Sequence, residues 1–230
     1  MEEFKGNVSA AALLFLPFVA LFLILGASAP PTPSQLLASD PLIRLVSVHA
    51  GLWAVAALSA LPAIGWLAFS APSRIAVLTG RRGFVAGFVL AAVGLPALRF
   101  LVGPALPAFV PPEESSAPGM VLGVGAGMLE EAVFRLCLLP AVFLVARRYC
   151  PRVLAGALAV LVTSLAFALS HELGPGGPGF DPRIFATRFL VPGCLMSVLF
   201  FRPGPSFVVT LHCSSHIGIA LLFTGPSPAA

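Results

Sequence analysis

Residues 118–145 read PGMVLGVGAGMLEEAVFRLCLLPAVFLV. Apart from Glu130, Glu131 and Arg135 near the middle, the run is apolar side chains, glycine and proline. It is longer than the roughly 20 residues a helix needs to cross a bilayer. A membrane β-strand would be about 10 residues long and would alternate in polarity, and this run does not alternate. A helix also satisfies its own backbone hydrogen bonds in lipid. The stretch therefore predicts a transmembrane helix that carries three ionisable groups inside it.

Outward from this stretch the apolar pattern recurs at 8–27, 48–71, 84–106, 153–171, 184–201 and 205–224, about seven spans in all. The predicted fold class is all-α, a polytopic transmembrane helix bundle. Composition agrees: 58% of residues are hydrophobic and 10% charged, against roughly 25% charged in a soluble domain. The spans leave little chain over, so no appended soluble domain is expected. The first span ends in Ala27-Ser28-Ala29, which resembles a signal-cleavage site. Its leader carries Glu2 and Glu3, however, and the run exceeds the roughly 7–15 residues of a signal core, so it reads as a retained helix.

Proline-rich residues 28–47 read as a loop, and Gly174–Gly179 as a turn. No Lys-Ser or Lys-Thr helix follows that turn, so it is not a phosphate loop. The sharpest break is Pro111-Pro112-Glu113-Glu114-Ser115-Ser116, which divides the chain into 1–117, the N-terminal membrane helices and their loops, and 118–230, the part that carries polar groups within its spans.

Arg74, Arg81 and Arg82 lie between the second and third spans, Arg147, Arg148 and Arg152 between the fourth and fifth, and Arg202 between the sixth and seventh. Basic residues in short loops stay on the cytoplasmic side. The expectation is an integral membrane protein with its N-terminus inside and C-terminus outside, in a bacterial inner membrane. The net charge of +4 then reflects topology and contact with the lipid bilayer, and nucleic acid is not called for. Cys137, Cys150, Cys194 and Cys213 have no C-x-x-C spacing and read as small packing residues.

Ionisable groups near the bilayer centre each cost roughly 2.5–3.5 kcal/mol on insertion scales, so each calls for a partner or a task. Glu131 and Arg135, four apart, share a helix face and can pair. Glu130 is turned about 100° away and has no cation at that spacing. Phe167-Ala168-Leu169-Ser170-His171 closes the fifth span, and His212-Cys213-Ser214-Ser215-His216 lies in the seventh, where His212 and His216 project from one face. One acid and three imidazoles from three helices could meet inside a bundle. His49 and Arg99 have no such company and read as interfacial side chains.

At these residues the sequence resembles the CPBP family, the CAAX-processing and bacteriocin-processing intramembrane endopeptidases. The family's Glu-Glu-x-x-x-Arg appears as Glu130-Glu131-Ala-Val-Phe-Arg135 and its Phe-x-x-x-His as Phe167-Ala-Leu-Ser-His171. Its His-x-x-x-Asn/Asp appears as His212-Cys-Ser-Ser-His216, with histidine in the last position. The resemblance covers roughly 118–230. It implies a glutamic-type protease in which Glu130, assisted by His171, activates a water. His212 and His216 would stabilise the oxyanion, with Glu131, Arg135 and Phe167 in support and no cofactor.

Two other readings compete. Zinc could be held by His171, His212 and His216, since these are side chains it accepts, but the H-E-x-x-H helix of metalloproteases is absent. A transporter or proton relay also uses acids and histidines, and it would be expected to show related halves with polar groups in both. The expected substrate is a membrane-anchored protein or peptide cut near its C-terminal segment. Arg-over-Lys, Ala- and Pro-rich usage points to a GC-rich bacterium. There the myxosortase-like members of the family, which trim C-terminal sorting tails, are one expected kind, beside members that process peptides for export or bacteriocin immunity.

Overall fold

The computed structural model describes residues 1–94, 117–172 and 180–223. Among these there are eight helices and no strand: α1 (Glu2–Ser28), α2 (Pro33–Ala38), α3 (Pro41–Phe69), α4 (Arg74–Val89, continued by a π-helical turn at Leu90–Gly94), α5 (Ala117–Glu130, then π-helical at Glu131–Leu138, then Leu139–Ala146), α6 (Arg152–Glu172), α7 (Pro182–Phe201) and α8 (Pro205–Phe223). Five helical stretches, Glu2–Ser28, Pro41–Phe69, Ala76–Gly94, Arg152–Glu172 and Pro182–Phe201, are long and apolar enough to cross a membrane. The protein is an all-α membrane helix bundle. Large apolar side chains such as Trp53, Leu61, Val153, Leu161 and Val191 face outward, as they must where the surroundings are lipid. Pro111–Ser116, Arg99 and Gly174–Gly179 lie outside the described residues.

Two stretches that read as loops are helical. Within 28–47, Thr32 and Gln35 form a reciprocal capping box that starts α2, and Asp40 caps α3, with proline at the first turn of both helices. Proline there has no N–H to waste and its φ is already helical. The polar, proline-rich composition that suggested a loop is the composition of helix starts. Likewise α4 begins at Arg74, ten residues before the apolar run, because the Ser73 hydroxyl accepts from Ala76 N–H at 3.1 Å. Arg81 and Arg82 therefore lie on a helix. Within α3, Gly51 adopts φ 75° and kinks the rod, a conformation that only glycine takes up without strain.

One apolar core, including Phe15 and Phe22 of α1, Ile43 and Val55 of α3, Val121, Met128 and Leu139 of α5, and Val208 and Cys213 of α8, runs through both parts of the chain. α8 is held by α4 through Gly80, Gly83 and Gly87, which leave room only for hydrogen. A Cβ on Gly87 would stand 2.5 Å from the Phe207 carbonyl oxygen and 3.0 Å from Leu211 N. Small residues let membrane helices approach backbone to backbone, and here they bring the histidine-bearing helix into the bundle. The turns at 70–73, 147–151 and 202–204 gather at one end, and the start of α3 and the end of α6 lie at the other.

Candidate active site

The site begins with the π-helical segment of α5, which lies at the middle of its rod. A π-turn shifts side chains out of the 3.6-residue register and leaves carbonyls without their usual partners, a feature common at functional sites. Pro140 has no N–H to return to Leu136, four residues back. The Trp66 indole N–H of α3 donates to that Leu136 carbonyl instead, at 2.5 Å. Arg135 of the same segment donates through Nη2 to the Pro192 carbonyl, which lies in the π-helical segment of α7.

Glu131 and Arg135 are fully buried and form the expected pair, with Nη1 and Oε1 at 3.5 Å. The guanidinium also lies over the Phe167 ring, 4.6 Å from its centroid, a cation–π contact that strengthens away from water. Phe167 connects two halves of the site. Its ring touches that of His171 at 4.6 Å between centroids, and its carbonyl accepts a hydrogen bond from His171 Nδ1–H at 2.8 Å.

Glu130 has the partners that its own helix could not supply. His171 Nε2 lies 3.2 Å from Oε1, and His212 Nε2 lies 3.6 Å from Oε2. The other nitrogen of His212, Nδ1, lies 2.7 Å from Glu131 Oε1. A carboxylate only accepts, so Nδ1–H donates and Nε2 is turned toward Glu130. His216 stands beside His212 with ring centroids 5.4 Å apart. It packs on α5 where Gly123 and Gly127 leave space: a Cβ on Gly127 would lie 2.8 Å from His216 Cδ2. Glu130, Glu131, Arg135, Phe167, His171 and His212 thus form one connected cluster, and His216 adjoins it through His212.

Two acids that the sequence reading did not single out lie beside His171. Asp40, at the start of α3, puts Oδ2 2.9 Å from His171 Nε2. Burial raises its carboxyl, but the His171 imidazole, the Leu42 N–H and the charge of Arg188 more than offset this and hold it below the usual carboxylate range. Glu172, the last residue of α6, is buried. It accepts from Asp181 N–H at 3.0 Å and pairs with Arg188 at 3.4 Å. Its signal was its position beside His171. Asp40 gave none, since an acid before proline is an ordinary helix start.

Donor atoms of Asp40, Glu130 and His171 lie within 4.8 Å of one another, close enough to share a proton or a divalent cation. This is a different set from the three histidines considered for zinc. Around a buried acid with two imidazoles, the arrangement can take a proton from water, hold it, and deliver it to a departing group.

The family model described as type II CAAX prenyl endopeptidase Rce1-like matches residues 112–218. That interval contains the site residues of α5, α6 and α8 and excludes Asp40. No curated protein and no solved structure matches the chain.

Proposed function

For a chain whose residues 112–218 belong to the Rce1-like family of type II CAAX prenyl endopeptidases, we propose that Glu130 is the general base of a glutamic-type peptide hydrolysis within the membrane. The observation that carries this reading is the Glu130 carboxylate, buried and set between His171 and His212. Glu130 takes a proton from a water, and the water oxygen bonds to the scissile carbonyl carbon. The carbonyl π pair moves onto oxygen, where His212 in its imidazolium form, with Nδ1–H on Glu131 and Nε2–H on the oxyanion, stabilises the charge with His216 beside it. As the C–N bond breaks, the proton held between Glu130 and His171 goes to the leaving amine. A carboxylic acid and an amine result, and the carboxylate is restored. Glu131 orients His212 through Nδ1, and Arg135 and Phe167 fix Glu131 and His171.

The substrate in this reading is the C-terminal segment of a membrane-associated protein or peptide, reaching the site from within or beside the bilayer. Sorting-tail removal in a bacterial inner membrane fits the residue usage, with the N-terminus inside and the C-terminus outside.

The test uses the purified full chain in proteoliposomes with two probes, a reporter ending in an apolar C-terminal anchor and a farnesylated CAAX peptide. Wild type is expected to cut the anchored reporter. Glu130→Gln, which keeps the shape but takes no proton, should lose cleavage at unchanged yield of folded protein. Cleavage by Glu130→Gln at the wild-type rate ends this reading. Complete metal removal, verified by elemental analysis, should leave the rate unchanged. Loss of activity restored by zinc would make the site a metal centre, since a catalytic zinc lowers its water's pKa to about 7 and cannot be spared.

A further inference from the structure

We infer that Asp40, from the part of the chain outside the family match, is a positioning residue of the active site that holds His171 in place for Glu130. The inference rests on the proposed role of Glu130 and extends it. Asp40 uses its two oxygens for different tasks. Oδ1 accepts from Leu42 N–H at 2.9 Å and caps α3, while Oδ2 reaches His171 Nε2 at 2.9 Å. Capping alone would need one oxygen, and serine or asparagine would serve equally well.

The second contact has a chemical consequence. His171 Nδ1 lies 2.8 Å from the Phe167 carbonyl oxygen, and since a carbonyl only accepts, Nδ1 carries a hydrogen. A neutral ring would then present a bare Nε2 to Asp40 Oδ2 at 2.9 Å and to Glu130 Oε1 at 3.2 Å. Three acceptors without a hydrogen among them would repel, so a proton resides at this junction, on Nε2 or on a carboxyl. Asp40 shares that proton and draws the Nε2–H toward itself. Glu130 is thereby left with a lone pair for the attacking water, and the proton is kept where the leaving amine will need it. His171, Glu130 and Asp40 come from α6, α5 and the start of α3. Among the described residues, Arg188 of α7 and the imidazoles of His212 and His216 of α8 also act on this junction.

Asp40→Ser keeps a capping oxygen but is too short to reach His171. Asp40→Asn keeps both cap and reach but removes the charge. Two measurements on the full chain decide the matter. In cleavage of the anchored reporter, both variants should lose roughly 10- to 100-fold in kcat, by analogy with the loss of a group orienting a metal-bound imidazole, with KM within about twofold. In the His171→Ala background, neither should cause a further loss, because acids and histidine acting as one unit are non-additive. Independently of any substrate, the side-chain nitrogen resonances of His171, identified by their absence from His171→Ala, should change in Asp40→Ser and Asp40→Asn. Unchanged resonances together with wild-type kcat in Asp40→Ser would reduce Asp40 to a helix cap and overturn the inference. So would an equal loss of kcat with and without His171. If Glu130→Gln were active, the base assignment would fall, while the resonances would still report whether Asp40 holds His171.

Discussion

Glu131 and Arg135 illustrate how much a membrane interior demands of single side chains. Both are fully buried, and Arg135 has the Pro192 carbonyl, the Phe167 ring and Glu131 around it. Removing one member of a buried pair leaves the other charge uncompensated, at a cost of roughly 3–5 kcal/mol. Arg135→Met and Glu131→Gln should therefore lower the yield and thermal midpoint of folded protein as well as activity, whereas Glu130→Gln lowers activity alone. Thermal unfolding in detergent of the three variants side by side checks this. Equal midpoints for Arg135→Met and wild type would show that the pair does not hold the site together.

At the scale of elements, the position of α8 decides where His212 stands, and α8 is seated by its close approach to α4. A methyl group on Gly87 would meet the Phe207 carbonyl and the Leu211 amide, both backbone, so α8 as a whole would have to shift. Forced overpacking costs typically about 1–3 kcal/mol, and a shift of His212 relative to Glu131 would also slow catalysis. Gly87→Ala should reduce both thermal midpoint and kcat. Gly156 of α6 provides the comparison, since nothing lies within 4 Å of a Cβ placed there. Gly156→Ala should be neutral or slightly stabilising, as expected when a helical glycine gains a side chain without a clash. If the two substitutions behave alike, the α4–α8 contact is not what positions the site.

For the whole molecule, connectivity places the arginine-bearing turns at one end of the bundle and the Asp40–His171 end at the other. If the positive-inside bias governs insertion, the proposed active site opens toward the outer face. Single cysteines at Tyr149 and at Phe180, both exposed, test this in a background with the four native cysteines replaced. An impermeant thiol reagent applied to intact cells should label Phe180→Cys and should reach Tyr149→Cys only after permeabilisation. The reverse pattern would turn the site toward the cytoplasm and exclude tail removal on the outer face.

The sequence alone determined the fold class, because long uncharged runs have no other stable form in lipid, and among the described residues the spans appear as helices near the predicted positions, except that the third starts ten residues early. It also singled out Glu130, Glu131, Arg135, His171, His212 and His216 as a group, since ionisable groups inside such runs are too costly to be incidental, while Phe167 came only from the family resemblance. Helical spacing was enough to pair Glu131 with Arg135, four residues apart. Spacing could not pair His212 with Glu131, 81 residues away, nor seat His216 against Gly123 and Gly127. Those contacts depend on how closely α8 can approach its neighbours, a property of backbone sterics across the bundle. Asp40 was the least visible, because capping a helix explains it completely until the end of α6 is brought beside it. Only the tertiary structure makes its second oxygen part of the site.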